Sequence, residues 1–285
     1  MRIGLGLPNA DKSLNDGSLL VDIARRADAL GFSTLATIGR VAYPSFEELV
    51  TLAAAAGATE KIGLFTDILL AATREPVLLA RQAATLDQVS GGRFVLGVGA
   101  GARPDDFAVT GTDFHTRGRR LDAAVELMHR AWRGEPVPGT NQPVTPRPVN
   151  GEAVPMMFGG HSEAAVARTV KYGIGHTQGG GTPEHLKTLM ERVSNAWKAA
   201  HRAGKPQFRA LSYFAIGDEV HEEAESNLVS YYGEYGPRVW QGVIKTAAEA
   251  KQRIQEYEAT GCDEFIVFMA TPSIEQAERL AEAVL

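Results

Sequence analysis

The chain has 285 residues, 44% of them hydrophobic and 22% charged, a globular composition that fits one large α/β barrel or two medium domains. A formal net charge of -5 argues against a nucleic-acid partner, and no apolar run, Ile68 to Ala72 included, is long enough to span a bilayer. Cys262 is the only cysteine, which excludes an internal disulfide and a cysteine zinc site, and the N-terminus enters a strand pattern with no leader; a reducing, cytoplasmic setting is expected.

Arg2 to Leu7 reads as a short apolar strand, and Ser18 to Leu30 as a helix ending at Gly31. Thr34 to Ile38 is the next strand. Ser45 with Glu48 has the spacing of a capping box opening an alanine-rich helix to about Ala58. Ile62 to Leu70 is a third strand. Pro76 suits the first turn of a helix that ends near Ser90, where Gly91 and Gly92 are available for a left-handed cap. Phe94 to Val98 is a fourth strand, and Arg117 to Arg133 an amphipathic helix with Leu121, Ala124, Val125, Met128 and Trp132 on one face. Five prolines between Gly134 and Val154 mark an excursion inside one domain. Val154 to Phe158, Ile174 to Gln178, Arg209 to Ile216 and Phe265 to Ala270 complete the strands. Helices fall at Glu163 to Tyr172, from Thr182-Pro183 onward, near Glu222 to Tyr232, from Ala247 to Thr260 behind a Thr246/Glu249 capping box, and from Ser273 to Val284.

Eight alternating units imply parallel strands joined by right-handed crossovers and predict a single (β/α)8 TIM barrel over residues 1–285, with a doubly wound open sheet as the alternative. In a barrel the loops after the strands form the ligand rim. Many of the 30 glycines fall there: Gly99 and Gly101, Gly159 and Gly160, and Gly179, Gly180 and Gly181. Glycine lets backbone approach a ligand, and a helix N-terminus favours an anion. Gly159-Gly160-His161-Ser162 is the best phosphate candidate, with Gly179 to Thr182 as the other wall; the competing reading has Ser162 only capping its helix. Gly97 to Ala102 fits the dinucleotide fingerprint loosely, but Arg103-Pro104 follows, and no helix is expected to open there.

No lysine falls at a strand end, no Gly-x-Ser-x-Gly elbow occurs, and no histidine pairs with carboxylates at metal-ligand spacing; no metal is expected. His161 and His176 lie near the glycine rims, where a structural role is favoured. Asp67 stands inside an apolar strand between Thr66 and Ile68, so it marks either a hydrogen-bonded bulge or a site residue. Anion-binding rims without an acid–base set suit a protein whose cofactor carries the chemistry.

The block Pro76 to Asp87 followed by Ser90-Gly91-Gly92-Arg93-Phe94-Val95-Leu96-Gly97-Val98-Gly99-Ala100-Gly101, with Arg117 to Asp122 and Gly159 to Ser162, resembles the bacterial-luciferase-like flavin and deazaflavin oxidoreductases. The resemblance implies a barrel that binds FMN or F420 at its C-terminal rim. It places Thr66-Asp67-Ile68 behind the flavin ring, with a non-proline cis peptide at Asp67-Ile68. It puts Gly159 to Ser162 and Gly179 to Thr182 around the phosphate, and the proline-rich stretch over the pocket. The sequence departs from deazaflavin members at Gly39-Arg40, Ala102 and Thr182, where those proteins often carry an Asp-His pair, an acid and a lysine. That favours reduced FMN with O2, a monooxygenase reaction on a small organic substrate, over F420-dependent hydride transfer. Arg40 and His115 are the candidate polar contacts to substrate; Arg40 reads equally as a solvated rim charge. A homodimer is implied. A flavin-binding protein without turnover and a cofactor-free phosphate-binding lyase are the readings from other classes.

Overall fold

The computed structural model describes residues 1–285 and shows a closed barrel of eight parallel strands in sequence order. The strands are β1 (Arg2–Gly6), β2 (Thr34–Thr37), β3 (Gly63–Thr66), β4 (Phe94–Val98), β5 (Met156–Gly159), β6 (Gly175–Gln178), β7 (Gln207–Phe214) and β8 (Glu264–Met269). The ring is closed by β8 against β1, in register from Arg2 with Glu264 to Gly6 with Phe268. The TIM-barrel expectation stands and the open sheet does not.

The helices are α1 (Ser18–Leu30), α2 (Glu48–Ala58), α3 (Pro76–Val89), α4 (Pro104–Val109), α5 (Arg117–Trp132), α6 (Glu163–Tyr172), α7 (Pro183–Ala199), α8 (His221–Tyr232), α9 (Gly236–Gln241), α10 (Ala247–Glu258) and α11 (Ile274–Val284). Strand residues of one parity, such as Leu64, Leu96, Phe265 and Val267, pack outward on the helices in the main core. Those of the other parity, including Phe65, Met157, Leu211, Ile266 and Phe268, fill the barrel interior.

Local chemistry explains most boundaries. Pro76 occupies the first turn of α3, and Glu75 caps it by accepting from the Leu78 amide. Gly91 and Gly92 both take positive φ after α3, as expected. Thr246 accepts the Glu249 amide, while the Glu249 carboxylate reaches back to the Lys245 amide at 2.6 Å. The Ser45/Glu48 box does not form. Glu47 caps α2 through the Val50 amide, and Ser45 bonds the carbonyls of Arg40 and Tyr43. Glu48 is buried and ion-pairs with Arg74 at 2.8 Å instead. A buried carboxylate gains more from a cation than from a backbone cap that water can satisfy.

Two further expectations change. A six-residue helix, α4, does open at Pro104, directly after the β4 glycines, because proline is pre-set for a first turn. The proline-rich stretch does not cover the ligand rim. It runs from the end of α5 to the start of β5, so it lies at the N-terminal end of the barrel. There the Val149 amide bonds Asp87 at 2.7 Å, and Gln88 bonds the Arg147 carbonyl, both at the end of α3. The chain that does extend beside the rim is α4, with the 99–116 segment, and α8–α9 after β7.

Candidate active site

The C-terminal ends of β3, β4, β5 and β6 stand side by side on the barrel rim, referred to below as the shelf. Thr66 is fully buried; its hydroxyl donates to the Gly97 carbonyl at 2.8 Å and accepts the Gly97 amide at 2.9 Å. That side chain staples β3 to β4, so any contact of Thr66 with a ligand falls to its backbone. The Asp67–Ile68 peptide is cis, as the resemblance implied. Ile68 lies across both neighbouring glycines. A Cβ on Gly99 would sit 2.0 Å from Ile68 Cδ1, and one on Gly159 would sit 3.0 Å from the same atom. Those two glycines are therefore the room in which the 66–68 turn is seated. Gly101, with positive φ, continues the loop over Phe107, and its carbonyl accepts from Arg117 at 3.1 Å.

The second wall comes from β5 and β6, which pair Gly159 with Thr177. Ser162 is the N-cap of α6, its hydroxyl accepting the Ala165 amide at 3.2 Å. The capping role is thus present, and it leaves the hydroxyl proton free to donate. Thr182 caps α7 in the same way through the His185 amide. Of the three glycines just before the second cap, two are open, while a Cβ on Gly181 would sit 2.8 Å from Gln178 Nε2. A methyl added to Gly179 or Gly180 would meet no other atom, and Gly180 and Gly181 take positive φ. The helices that open at these two caps, α6 and α7, have 10 and 17 residues, and each N-terminus carries the positive end of a helix dipole.

The histidines divide. His176 is buried and structural: Nε2–H donates to the Gly160 carbonyl at 2.9 Å, and Nδ1 accepts from Thr169 at 2.7 Å. Burial holds the ring neutral, pushed down to about 4. It fixes the 159–162 loop from inside, and Arg192 of α7 fixes it from outside by donating to the His161 carbonyl at 3.1 Å. His161 itself is exposed. His115 is exposed on the turn before α5, edge-on to the Phe114 ring, and no partner brings it into the shelf.

Arg40 is neither a free anion receptor nor a solvated rim charge. Its guanidinium is 11% exposed, pairs with Asp105 and lies 3.7 Å from Asp106, both on α4. Asp106 also accepts the Val41 and Ala42 amides at 2.8 Å each. Arg40 thus ties the β2 loop to α4. Gly39 has its own reason: a Cβ there would sit 1.5 Å from Glu48 Oε1.

The rim also holds residues that sequence reasoning missed. Arg103 stacks on the rings of Tyr231 and Tyr232 at 4.7 and 5.5 Å, and Tyr232 shares a 2.8 Å hydroxyl contact with Tyr213. Buried polar atoms without a partner occur at four strand ends: Thr37 Oγ1, Asp67 Oδ2, Gln178 Oε1 and Thr271 Oγ1. Gln178 was visible only as the residue before the glycine run.

Asp67 sits at the centre. Its amide bonds the Thr37 carbonyl at 2.7 Å and its Oδ1 accepts from Thr177 at 2.9 Å. Burial raises the carboxyl to about 7; the Thr177 hydrogen bond and Arg209 pull it back, and Glu264 pushes it further. Among all residues, no cluster of three or more His, Cys, Asp or Glu side chains is placed to hold a metal.

The family profile described as luciferase-like monooxygenase matches residues 2–283. The chain belongs to that family. The barrel of this luciferase-like protein is similar to monooxygenase RslO1 from Streptomyces bottropensis, at TM-score 0.81 and 20% identity over 99% of this chain and 97% of that one. It is also similar to an F420-dependent secondary alcohol dehydrogenase in complex with an F420–acetone adduct, at 0.79 and 18%, covering 99% and 98%. A third likeness is to the oxygenating constituent of 3,6-diketocamphane monooxygenase from Pseudomonas putida in complex with FMN, at 0.79 and 16%, covering 99% and 96%. At these identities the likeness is one of fold. No helix of this member is long and apolar enough to cross a membrane.

Proposed function

We propose that this luciferase-like protein is an oxidoreductase that binds reduced FMN at the C-terminal rim and uses it with O2 to oxygenate a small organic substrate. The observation that carries the reading is the shelf itself. The 66–68 turn is seated on Gly99 and Gly159, and its half-buried Ile68 is the apolar side chain at that point of the rim. Beside it are the open backbone of Gly179 and Gly180 and the two capped helix N-termini, a setting that favours a phosphate. Bound FMN supplies the electrons that activate oxygen.

The protein's own groups bind and orient. Asp67, Ile68, Gly99 and Gly101 would hold the ring, and Gly159, Gly160, His161, Ser162 and Gly179 to Thr182 would hold the phosphate tail. His115 stays a candidate polar contact for substrate on its place at the rim, and Arg40 contributes by fixing α4. F420-dependent hydride transfer is the second reading. Asp67 favours it, because a buried acid suits hydride addition to a carbonyl. A homodimer with no nucleic-acid or membrane partner, working in the cytoplasm, completes the proposal.

The test is a fluorescence titration of the purified protein with FMN, FAD and F420. Tight FMN binding, weakened by Ser162→Ala and by Gly180→Val, is expected. Tight F420 binding with none for FMN moves the cofactor choice to the second reading. No binding of either overturns both.

A further inference from the structure

A second feature of the rim lies away from the shelf. The shelf belongs to β3 to β6, and the other half of the closed ring is β7, β8, β1 and β2. Between the ends of those strands and α8 is a narrow pocket of about 30 Å³. The strand ends line it with Leu7, Pro8, Ile38, Tyr213, Phe268 and Ala270. The buried face of α8 closes it with Asn227, Leu228 and Tyr231. The Tyr213 phenol and the Asp67 carboxyl are within electrostatic reach of one another, so pocket and shelf share one barrel mouth.

The helix is held over the pocket by polar contacts at its edge. Lys12 donates to Ser226 Oγ at 3.1 Å, Ser13 to Glu223 at 2.9 Å and Tyr43 to Ser230 at 3.0 Å, each joining a loop after β1 or β2 to α8. Further in, Asn227 Nδ2 donates to Asp11 Oδ2 at 2.6 Å, and Asp11 Oδ1 accepts the Ser13 amide and hydroxyl at 2.8 Å each. While these contacts stand, α8 cannot settle onto the strand ends and fill the gap, so the pocket is preformed.

Size and lining select the occupant. A water held at such a place needs several polar partners, and these walls are mostly alkyl and ring carbon. A cavity of roughly 150 Å³ takes benzene, whereas this one has room for about one or two carbon atoms. A charged group would lose its hydration against the apolar walls, and an anion would also meet Asp11, whose partners are amides and a hydroxyl with no cation among them.

We propose that this pocket seats the apolar end of the substrate and restricts it to an uncharged, unbranched end of about one or two carbons, with Leu228 and Ala270 setting the limit. The pocket and its size limit stand on the geometry above. Naming the occupant a substrate rests on the function proposed for the shelf across the barrel mouth.

The first probe is xenon under pressure, followed by xenon NMR of the ligand-free protein. Wild type should show a saturable site, which Ala270→Val, by adding methyl groups inside the pocket, should weaken by about tenfold or more. Leu228→Ala enlarges the pocket and should bind xenon more tightly, which covers the case of an Ala270 variant that repacks. The second probe is a panel of ketones and thioethers with methyl, ethyl, butyl and phenyl ends, tested on the FMN-loaded protein for xenon displacement and for oxygenation. The short ends should displace xenon and be oxygenated, with a drop of about tenfold or more in kcat/KM from ethyl to butyl, and Leu228→Ala should move that break to longer ends. No saturable xenon site in wild type, or one that both variants leave unchanged, overturns the pocket. Short ends that displace xenon without being oxygenated, or a break that Leu228→Ala does not move, overturn the substrate role. Xenon binding as expected in a protein that takes up no flavin falls on the function proposed above and on the substrate role, and leaves the pocket and its size limit standing.

Discussion

Two buried groups make opposite demands on the stability of this barrel, and Asp67→Asn separates them. Asp67 is shifted from 3.8 to about 7 by burial. Between those values the folded protein binds more protons than the unfolded chain, so stability falls as pH rises, and the loss is complete above about 7. At about 1.36 kcal/mol per unit, the shift corresponds to a cost of about 4 kcal/mol at alkaline pH, an upper figure because water and local relaxation reduce it. His176 works the other way. Its ring is shifted from 6.5 to about 4, again by burial. Over that range the unfolded chain binds the extra proton, so stability is lost as pH falls, by up to about 3 kcal/mol. The windows overlap between about 4 and 6.5, so the two effects nearly cancel there, and the wild-type profile should be shallow on the acid side and fall near neutrality.

Asp67→Asn keeps the shape and cannot ionise. Its gain over wild type should be small at about pH 4 and grow to several kcal/mol by about pH 8, with most of the change below pH 7. Without Asp67, the His176 slope stands alone. The measurement is urea denaturation of both proteins at closely spaced pH values. A difference between them that does not change with pH would refute the burial argument. A difference that grows toward acid would reverse the sign and place Asp67 in a stabilising ion pair.

Further predictions follow from the same geometry. Gly99→Ala puts a methyl where Ile68 Cδ1 lies, 2.0 Å away, and should cost about 1–3 kcal/mol and abolish FMN binding, read by thermal melting and fluorescence titration. Gly159→Ala, at 3.0 Å from the same atom, should do less of both. Arg40→Ala should lower stability by about 1–2 kcal/mol, because Asp106 loses its cation while keeping two amides; FMN affinity should change little. Ser162→Ala removes the cap of α6 at a cost of about 1 kcal/mol, and should weaken binding of FMN more than of riboflavin, which has no phosphate to lose.

The barrel was legible because its evidence is local. Most strands are short apolar runs, with the polar β6 the exception, and Pro76, Gly91 and Gly92 punctuate the pattern with conformations their own backbones dictate. Local reasoning failed where a side chain had a better distant partner. Glu48 has the spacing of a capping box, yet Arg74 lies 26 positions along the chain and takes it. Arg40 looked like a loop cation, and α4, 65 positions on, supplies the acids that consume it. The proline-rich stretch shows a different failure. Its position follows from chain order, since a segment after a helix and before a strand must lie at the N-terminal end of a parallel barrel, and the resemblance outweighed that rule.

Asp67 was legible as an anomaly and not as a mechanism. A carboxylate between Thr66 and Ile68 in an apolar strand is visible to anyone who asks where the charge goes. The answer needed three other strands. Thr177, 110 residues away, supplies the single side-chain hydrogen bond, and Arg209, beside Glu264, only partly offsets the burial of the carboxyl. The glycines show the same relation. Gly99 and Gly159 stood out as rim glycines, but their purpose is to admit Ile68, the residue beside Asp67. So the apolar strand end and the glycine rims are one construction: the glycines seat the 66–68 turn, and the turn holds a carboxyl inside the barrel where its ionisation is costly.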